Sequence, residues 1–421
     1  MALNYIWIAF FLIGFVVALC KTLFMGQTDL LQALMTNMFD SAKTGFEISL
    51  GLTGVMSLWL GIMKIGEKAG VINLFARGVA PFFKTLFKGV PKGHSAYGSI
   101  MMNFSANMLG LDNAATPLGL KAMNELQELN PDKERASDAQ VMFLVLNTAG
   151  ITLIPTSVIA IRQTIALEQH VTGFNAADIF LPTLIATFIA FISGIIIVSI
   201  YQRINLFKLP VLLFLGGFAG SIALLYHSLA TLPAAQVATT MGAVGSGVIL
   251  TIIALFIIAG TMRKQNVYDH FIEGAKEGFQ VAIRIVPYLI AMLVAISVFR
   301  TSGCMAYVVN GISVGVAACG LNTDFVPVLP IALMKPLSGS GARGLMVDVM
   351  RQYGVASFQG KLAAIIQGST ETTFYVLAVY FGSVQIKNTR HALVCGLIAD
   401  GIGLIAAIVV GYIFFHGNGL H

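Results

Sequence analysis

Long apolar stretches dominate the chain and set the first expectation. Those at 5–24, 48–63, 179–201, 210–226, 244–262, 281–299 and 393–415 contain almost no charged positions. A hydrocarbon core ~30 Å thick needs roughly 20 helical residues, so each is predicted to cross a bilayer. None shows the every-second-residue alternation of a barrel strand, and a backbone in lipid must satisfy its own hydrogen bonds. The predicted fold class is therefore all-α, a polytopic membrane protein. The first span lacks a basic leader and a small-residue cleavage pattern, and is expected to be retained.

Two further stretches are apolar on one face only. Leu31, Leu34, Met35, Met38 and Ala42 share a helical face, as do Tyr268, Phe271, Ile272, Ala275 and Phe279. Both are expected to be interfacial helices feeding a span. They also align with each other, Phe39-Asp40-Ser41-Ala42-Lys43-Thr44-Gly45-Phe46-Glu47 against Ile272-Glu273-Gly274-Ala275-Lys276-Glu277-Gly278-Phe279-Gln280. A second pair follows in the same order, Leu146-Asn147-Thr148-Ala149-Gly150-Ile151-Thr152 against Ile366-Gln367-Gly368-Ser369-Thr370-Glu371-Thr372. Chance recurrence of small and hydroxylated residues is the competing account. Two correspondences in one order favour a duplication, with repeats at 1–205 and 206–421.

Charge then gives direction. Residues 64–94 carry Lys64, Lys68, Arg77, Lys84, Lys88 and Lys92 against Glu67, which the positive-inside rule places in the cytoplasm. After the equivalent second helix, residues 300–327 hold only Arg300 and Asp324, and are expected outside. Arg203 with Lys208, Arg263 with Lys264, and Lys387 with Arg390 all fall inside if each half contains one re-entrant hairpin. The expected protein lies in a bacterial inner membrane with a cytoplasmic N-terminus and a periplasmic C-terminus, its halves inverted. The net charge of +6 is ordinary for such a protein and is no argument for nucleic acid. With 57% hydrophobic and 10% charged residues, a water-soluble surface is excluded.

Inverted repeats place a substrate site near the midplane, on helices broken by Gly, Pro and polar residues. Four such segments stand out. In 97–117, Asn103, Ser105, Asn107, Asp112 and Asn113 interrupt apolar sequence; its counterpart, 333–349, holds Lys335, Pro336, Ser338, Ser340 and Arg343 among three glycines. The second pair centres on Asn147, Thr148, Thr152 and Thr156, and on Gln367, Ser369, Thr370, Glu371, Thr372 and Thr373. Hydroxyls and amides suit a polar solute or Na+, and equally serve as glue between helices. Lys335, Arg343 and Glu371 weigh more, because an ionisable group at membrane depth normally marks a pathway or a pair. Two accounts stand for them: an anion held by Lys335 or Arg343 with Glu371 binding H+ or Na+, or a structural Glu371 to Lys335 ion pair. Asp112 reads equally as a helix cap and as a ligand. His94 is expected to be solvated or capping, and Asp348 and Asp400 to be cavity-facing or paired. Cys20, Cys304, Cys319 and Cys395 are scattered without ligand spacing, so no metal site is expected and they read as small core residues. No P-loop, HExxH or GxSxG is present, which removes those pumps and hydrolases.

Val145-Leu146-Asn147-Thr148 through Leu153-Ile154-Pro155-Thr156 resembles spore maturation protein A, and Gln367-Gly368-Ser369-Thr370-Glu371-Thr372-Thr373-Phe374-Tyr375 resembles spore maturation protein B. The chain resembles a fusion of these nucleoside-recognition, or Gate-domain, membrane proteins. The resemblance implies paired Gate domains with re-entrant hairpins, but no substrate and no sporulation role. The first expectation is a non-enzymatic secondary transporter or exporter of a small polar solute, whether anionic or neutral, without cofactor unless Na+ or H+ couples. A receptor or scaffold binding a ligand in the same cavity is the second, and an intramembrane enzyme the third. The bilayer, a small-molecule solute and a second copy in a homodimer are the expected partners.

Overall fold

The computed structural model describes residues 2–91, 93–109, 112–231 and 234–416. Among them there is no strand, and the fold is all-α. In chain order the helices are α1 (Ala2–Met25), α2 (Asp29–Lys68), α3 (Val71–Leu86), α4 (Ser95–Met108), α5 (Asp112–Glu128), α6 (Asp138–Thr148), α7 (Thr156–Glu168), α8 (Phe180–Gln202) and α9 (Leu209–Ala230). They continue as α10 (Ala234–Met262), α11 (Val267–Thr301), α12 (Cys304–Ala318), α13 (Leu329–Met334), α14 (Gly339–Tyr353), α15 (Phe358–Ser369), α16 (Thr373–Ser383) and α17 (Ala392–Phe415). Among the described residues eight stretches are long and apolar enough to cross a membrane, making this a multi-pass membrane protein. Seven match the apolar runs of the sequence. The eighth, Phe358–Ser383, is α15 and α16 taken together, and the polar run at 367–373 hides it from a search for unbroken apolarity.

The one-faced stretches at 31–42 and 268–279 are not separate interfacial helices. Each runs unbroken into its span, giving α2 40 residues and α11 35, because their inner faces pack on each other along most of their length. Glycines set how close they come. A Cβ at Gly274 would lie 2.2 Å from the Leu60 carbonyl oxygen, and one at Gly278 2.5 Å from that of Met56. Gly45 meets Ile290 and Gly278 meets Ser57, so contact positions rise on one helix as they fall on the other, and the two run antiparallel. α8 and α17 are also antiparallel, with Gly194 against Ala399 and Gly403 against Ala190. Gly278→Leu is expected to push α2 and α11 apart at a cost of about 1–3 kcal/mol or more. A fall in the thermal unfolding midpoint in detergent, with Gly54→Leu as a control that meets open space, checks it.

Each long helix turns into its successor through a left-handed glycine, Gly70 (φ 71°) before α3 and Gly303 (φ 88°) before α12. α1 packs against α11, and α10 against α2. The two largest apolar clusters both draw side chains from before residue 205 and after residue 281. At one end of the bundle, segments that charge assigns to the cytoplasm touch. Lys88 donates to the Arg203 carbonyl at 3.0 Å, and Lys387 pairs with Glu134 at 2.7 Å and Arg390 with Asp138 at 2.6 Å. Asp324 pairs with His416 at 2.7 Å, and that hydrogen bond holds the Asp324 carboxyl below its ordinary value. Among the cysteines, Cys304 and Cys395 are buried as expected, but Cys20 and Cys319 are exposed on outward helix surfaces.

Candidate functional site

Four helix breaks meet in the middle of the bundle. α4 gives way to α5 after Met108, and α6 to α7 between Thr148 and Thr156. α13 gives way to α14 around Pro336, and α15 to α16 across Thr370 to Thr372. Pro336 has no N–H and Ser338 caps α14 by accepting from the Gly341 N–H at 3.0 Å, so the chain is steered from one helix into the next. Thr370 is fully extended (φ −146°, ψ 170°), which frees the last carbonyls of α15.

Backbone hydrogen bonds stitch the breaks together. The Leu153 N–H donates to the Met108 carbonyl at 2.9 Å, and the Phe374 N–H to the Pro336 carbonyl at 3.0 Å. Each therefore ties a hairpin tip to the following break. The Glu371 N–H donates to the Thr148 carbonyl at 2.8 Å and joins the two broken helices.

Two polar cavities flank this junction, and Glu371 lines both. The first is bounded by Thr152, Thr156, Lys335, Arg343, Gln367 and Glu371. The second is bounded by Asn107, Thr116, Asn147, Tyr375 and Tyr380 with Glu371. In the second cavity the Asn107 amide donates to Asn147 Oδ1 at 2.9 Å, and the Tyr380 hydroxyl donates to the same oxygen at 3.4 Å. Asn103 donates to the Ala115 carbonyl at 2.8 Å and reaches Tyr380 at 3.5 Å. The second cavity is thus walled by neutral amides and phenols, while the first carries Lys335 and Arg343.

The remaining predicted residues divide by what they touch. Ser105 and Ser369 turn their hydroxyls back onto the Met101 and Ile366 carbonyls of their own helices, at 2.7 and 2.9 Å, which is helix glue. Ser338 and Ser340 lie 3.2 Å apart at the start of α14. Thr372 lies against Gly339, and Thr370 against Gly403 of α17. Thr373 donates to Asp400 at 2.5 Å. Thr148 is wholly buried beside Thr373. The side chains of Asp112 and Asn113 lie outside the described residues. His94 caps α4 by accepting from the Ala96 N–H at 3.2 Å, and Asp348 pairs with Arg300 at 2.5 Å. Among the described residues no group of three His, Cys, Asp or Glu side chains could hold a metal.

Sequence reasoning did not single out Thr116, Tyr380 or Asp400 as site residues, nor Arg162 with Asp178. Arg162 and Asp400 carried the same signal as Lys335, an ionisable group in an apolar run. Thr116 and Tyr380 carry no signal in one sequence, since a phenol in an apolar helix reads as ordinary packing.

The family described as Gate, nucleoside recognition, matches residues 49–164 and again 282–387, so that each match spans one hairpin and most of one broken helix. The chain belongs to the Gate family. Two relatives each match part of this chain. Spore maturation protein B of Bacillus subtilis (strain 168) is 45% identical over 164 residues, 39% of this chain and 90% of that protein. Spore maturation protein A of the same organism is 41% identical over 194 residues, 46% of this chain and 92% of that protein. Each relative thus covers part of the chain, consistent with a fusion of the two. No solved structure gives a significant match.

Proposed function

We propose that this Gate-family chain is a secondary-type transporter or exporter of a small polar solute bearing an anionic group. The solute sits where the two broken helices meet. The observation that carries the reading is Glu371 standing between two polar cavities, one of them walled by Lys335 and Arg343. A polar recess at membrane depth, lined by interrupted helices and by ionisable groups, is the arrangement that solute carriers use. Cationic donors in the first cavity select for a carboxylate or phosphate, and the amides and phenols of the second suit an uncharged polar body.

The same proposal includes an inverted duplication. The antiparallel pairs α2 with α11 and α8 with α17, the reciprocal packing of α1 and α10, and the two family matches support it. α9 is then the additional crossing that turns the second repeat, 206–421, over relative to the first, 1–205. The cytoplasmic N-terminus and periplasmic C-terminus in an inner membrane follow from the positive segments that touch at one end.

Proteoliposome flux tests the reading. Purified protein is screened by thermal shift against small carboxylates, phosphates and matched neutral analogues, and the stabilising compounds are then assayed for uptake and efflux. Saturable flux of an anionic compound, absent from empty liposomes, is expected. Stabilisation without flux makes the chain a receptor, and a preference for the neutral analogues removes the anionic assignment.

A further inference from the structure

A carboxylate away from both cavities has one oxygen unaccounted for. Asp400 lies mid-way along α17 with only 6% of its surface exposed. Its Oδ2 accepts from the Thr373 hydroxyl at 2.5 Å, while its Oδ1 has no hydrogen-bond partner. A buried carboxylate oxygen without a partner is costly in an apolar interior. The charged side chains near enough to act on it are Lys335 and Glu371, of opposite sign. These offset each other and leave the position one negative charge in excess.

Threonines of the two breaks lie along the same stretch of α17. Thr148, at the end of α6, and Thr373, at the start of α16, lie side by side against Gly396, one helical turn before Asp400. Thr148 Oγ1 is buried and unpartnered. Thr370 lies on the next turn against Gly403, and its hydroxyl also acts on Asp400. One carboxylate and the threonine hydroxyls of the two breaks make a hard, all-oxygen set of net charge minus one.

We infer that Asp400, with Thr373, Thr148 and Thr370, forms a binding site for a monovalent cation, Na+. The site is distinct from the two solute cavities. Net charge selects a monovalent over a divalent ion, and the unpartnered Thr148 hydroxyl oxygen selects a coordinated ion over a proton, which one carboxylate oxygen takes alone. Because Thr148 ends one broken helix and Thr373 begins the other, an ion here pins both breaks to α17.

Binding is read on purified protein without any solute, so its outcome is separate from that of the transport reading. Thermal unfolding is followed in NaCl, KCl and choline chloride at equal ionic strength, since a ligand bound only to the native state raises the midpoint with its concentration. A saturable rise with Na+ that choline does not give is expected, lost in Asp400→Asn and weakened at least tenfold in apparent affinity in Thr373→Ala and Thr148→Val. Should Asp400→Asn not fold, the two threonine variants decide. Equal midpoints in the three salts, an undiminished Na+ response in these variants, or stabilisation that follows pH and ignores Na+ overturns the site.

Discussion

Asp178→Ala is expected to destabilise the purified protein by about 3–5 kcal/mol, enough to unfold much of it during extraction. Arg162 of α7 is wholly buried. Its Nη1 donates to Asp178 Oδ1 at 2.5 Å and to the Ala176 carbonyl at 2.6 Å, and its guanidinium lies 4.9 Å from the centre of the Phe174 ring. Nε and Nη2 have no partner, so Asp178 supplies most of the compensation. Lys361 of α15 meets the other Asp178 oxygen at 3.0 Å, so a single carboxylate ties the first half to the second. Removing it strands two cations in a dry interior, whereas removing all three charges together does not. Asp178→Ala should therefore lose far more in thermal midpoint than the triple change Arg162→Met, Asp178→Leu, Lys361→Met. A single variant that melts with the parent protein would show the network to be idle.

Glu371→Gln and Lys335→Ala are expected to weaken binding of the transported solute by roughly 10- to 100-fold each, the ~1.5–3 kcal/mol of a charged hydrogen bond. The proteins themselves should remain folded. The two variants should fail differently. Lys335→Ala removes a cation from the first cavity, and so should abolish the preference for an anionic compound over its neutral analogue. Lys335→Arg should keep that preference. Asn107→Ala opens the Asn107–Asn147 pair in the second cavity and should weaken anionic and neutral analogues alike. Isothermal titration on the folded variants, followed by flux, checks both. Unchanged affinity in Glu371→Gln and Lys335→Ala together places the solute elsewhere.

The fold was legible where the physics is local. Uniform apolarity reveals a span one residue at a time, and the Pro and Gly around Pro336 announce a break without any partner. Gly45 and Gly278 were legible as a repeat, but not as the reason α2 and α11 come so close, because that depends on which backbone lies opposite. The site was legible in part. Lys335, Arg343, Gln367 and Glu371 converge on one cavity, as their polarity in apolar surroundings implied. Tyr380 was out of reach, since its contact with Asn147 spans 233 positions of chain. Asp400 was seen as an anomaly, yet its partner Thr373 was grouped with the solute-facing hydroxyls. Only the fold shows that Thr373 turns toward α17. Ser105 and Ser369 illustrate the opposite limit, because a hydroxyl bonded to its own helix and one aimed at a cavity look the same in a sequence.

The reciprocal packing of α1 on α11 and α10 on α2 bears on how the chain is made. A ribosome delivers α2 some two hundred residues before α11, which at ~5–20 residues per second leaves α2 waiting for roughly 10–40 s. Throughout that interval Lys64 sits in the membrane boundary without Glu273 and Glu277, the carboxylates it finally meets. The early helices must then be shielded by lipid or by the insertion machinery. Assembly becomes a late, concerted closing of the two halves around each other, and not a sequence of finished domains.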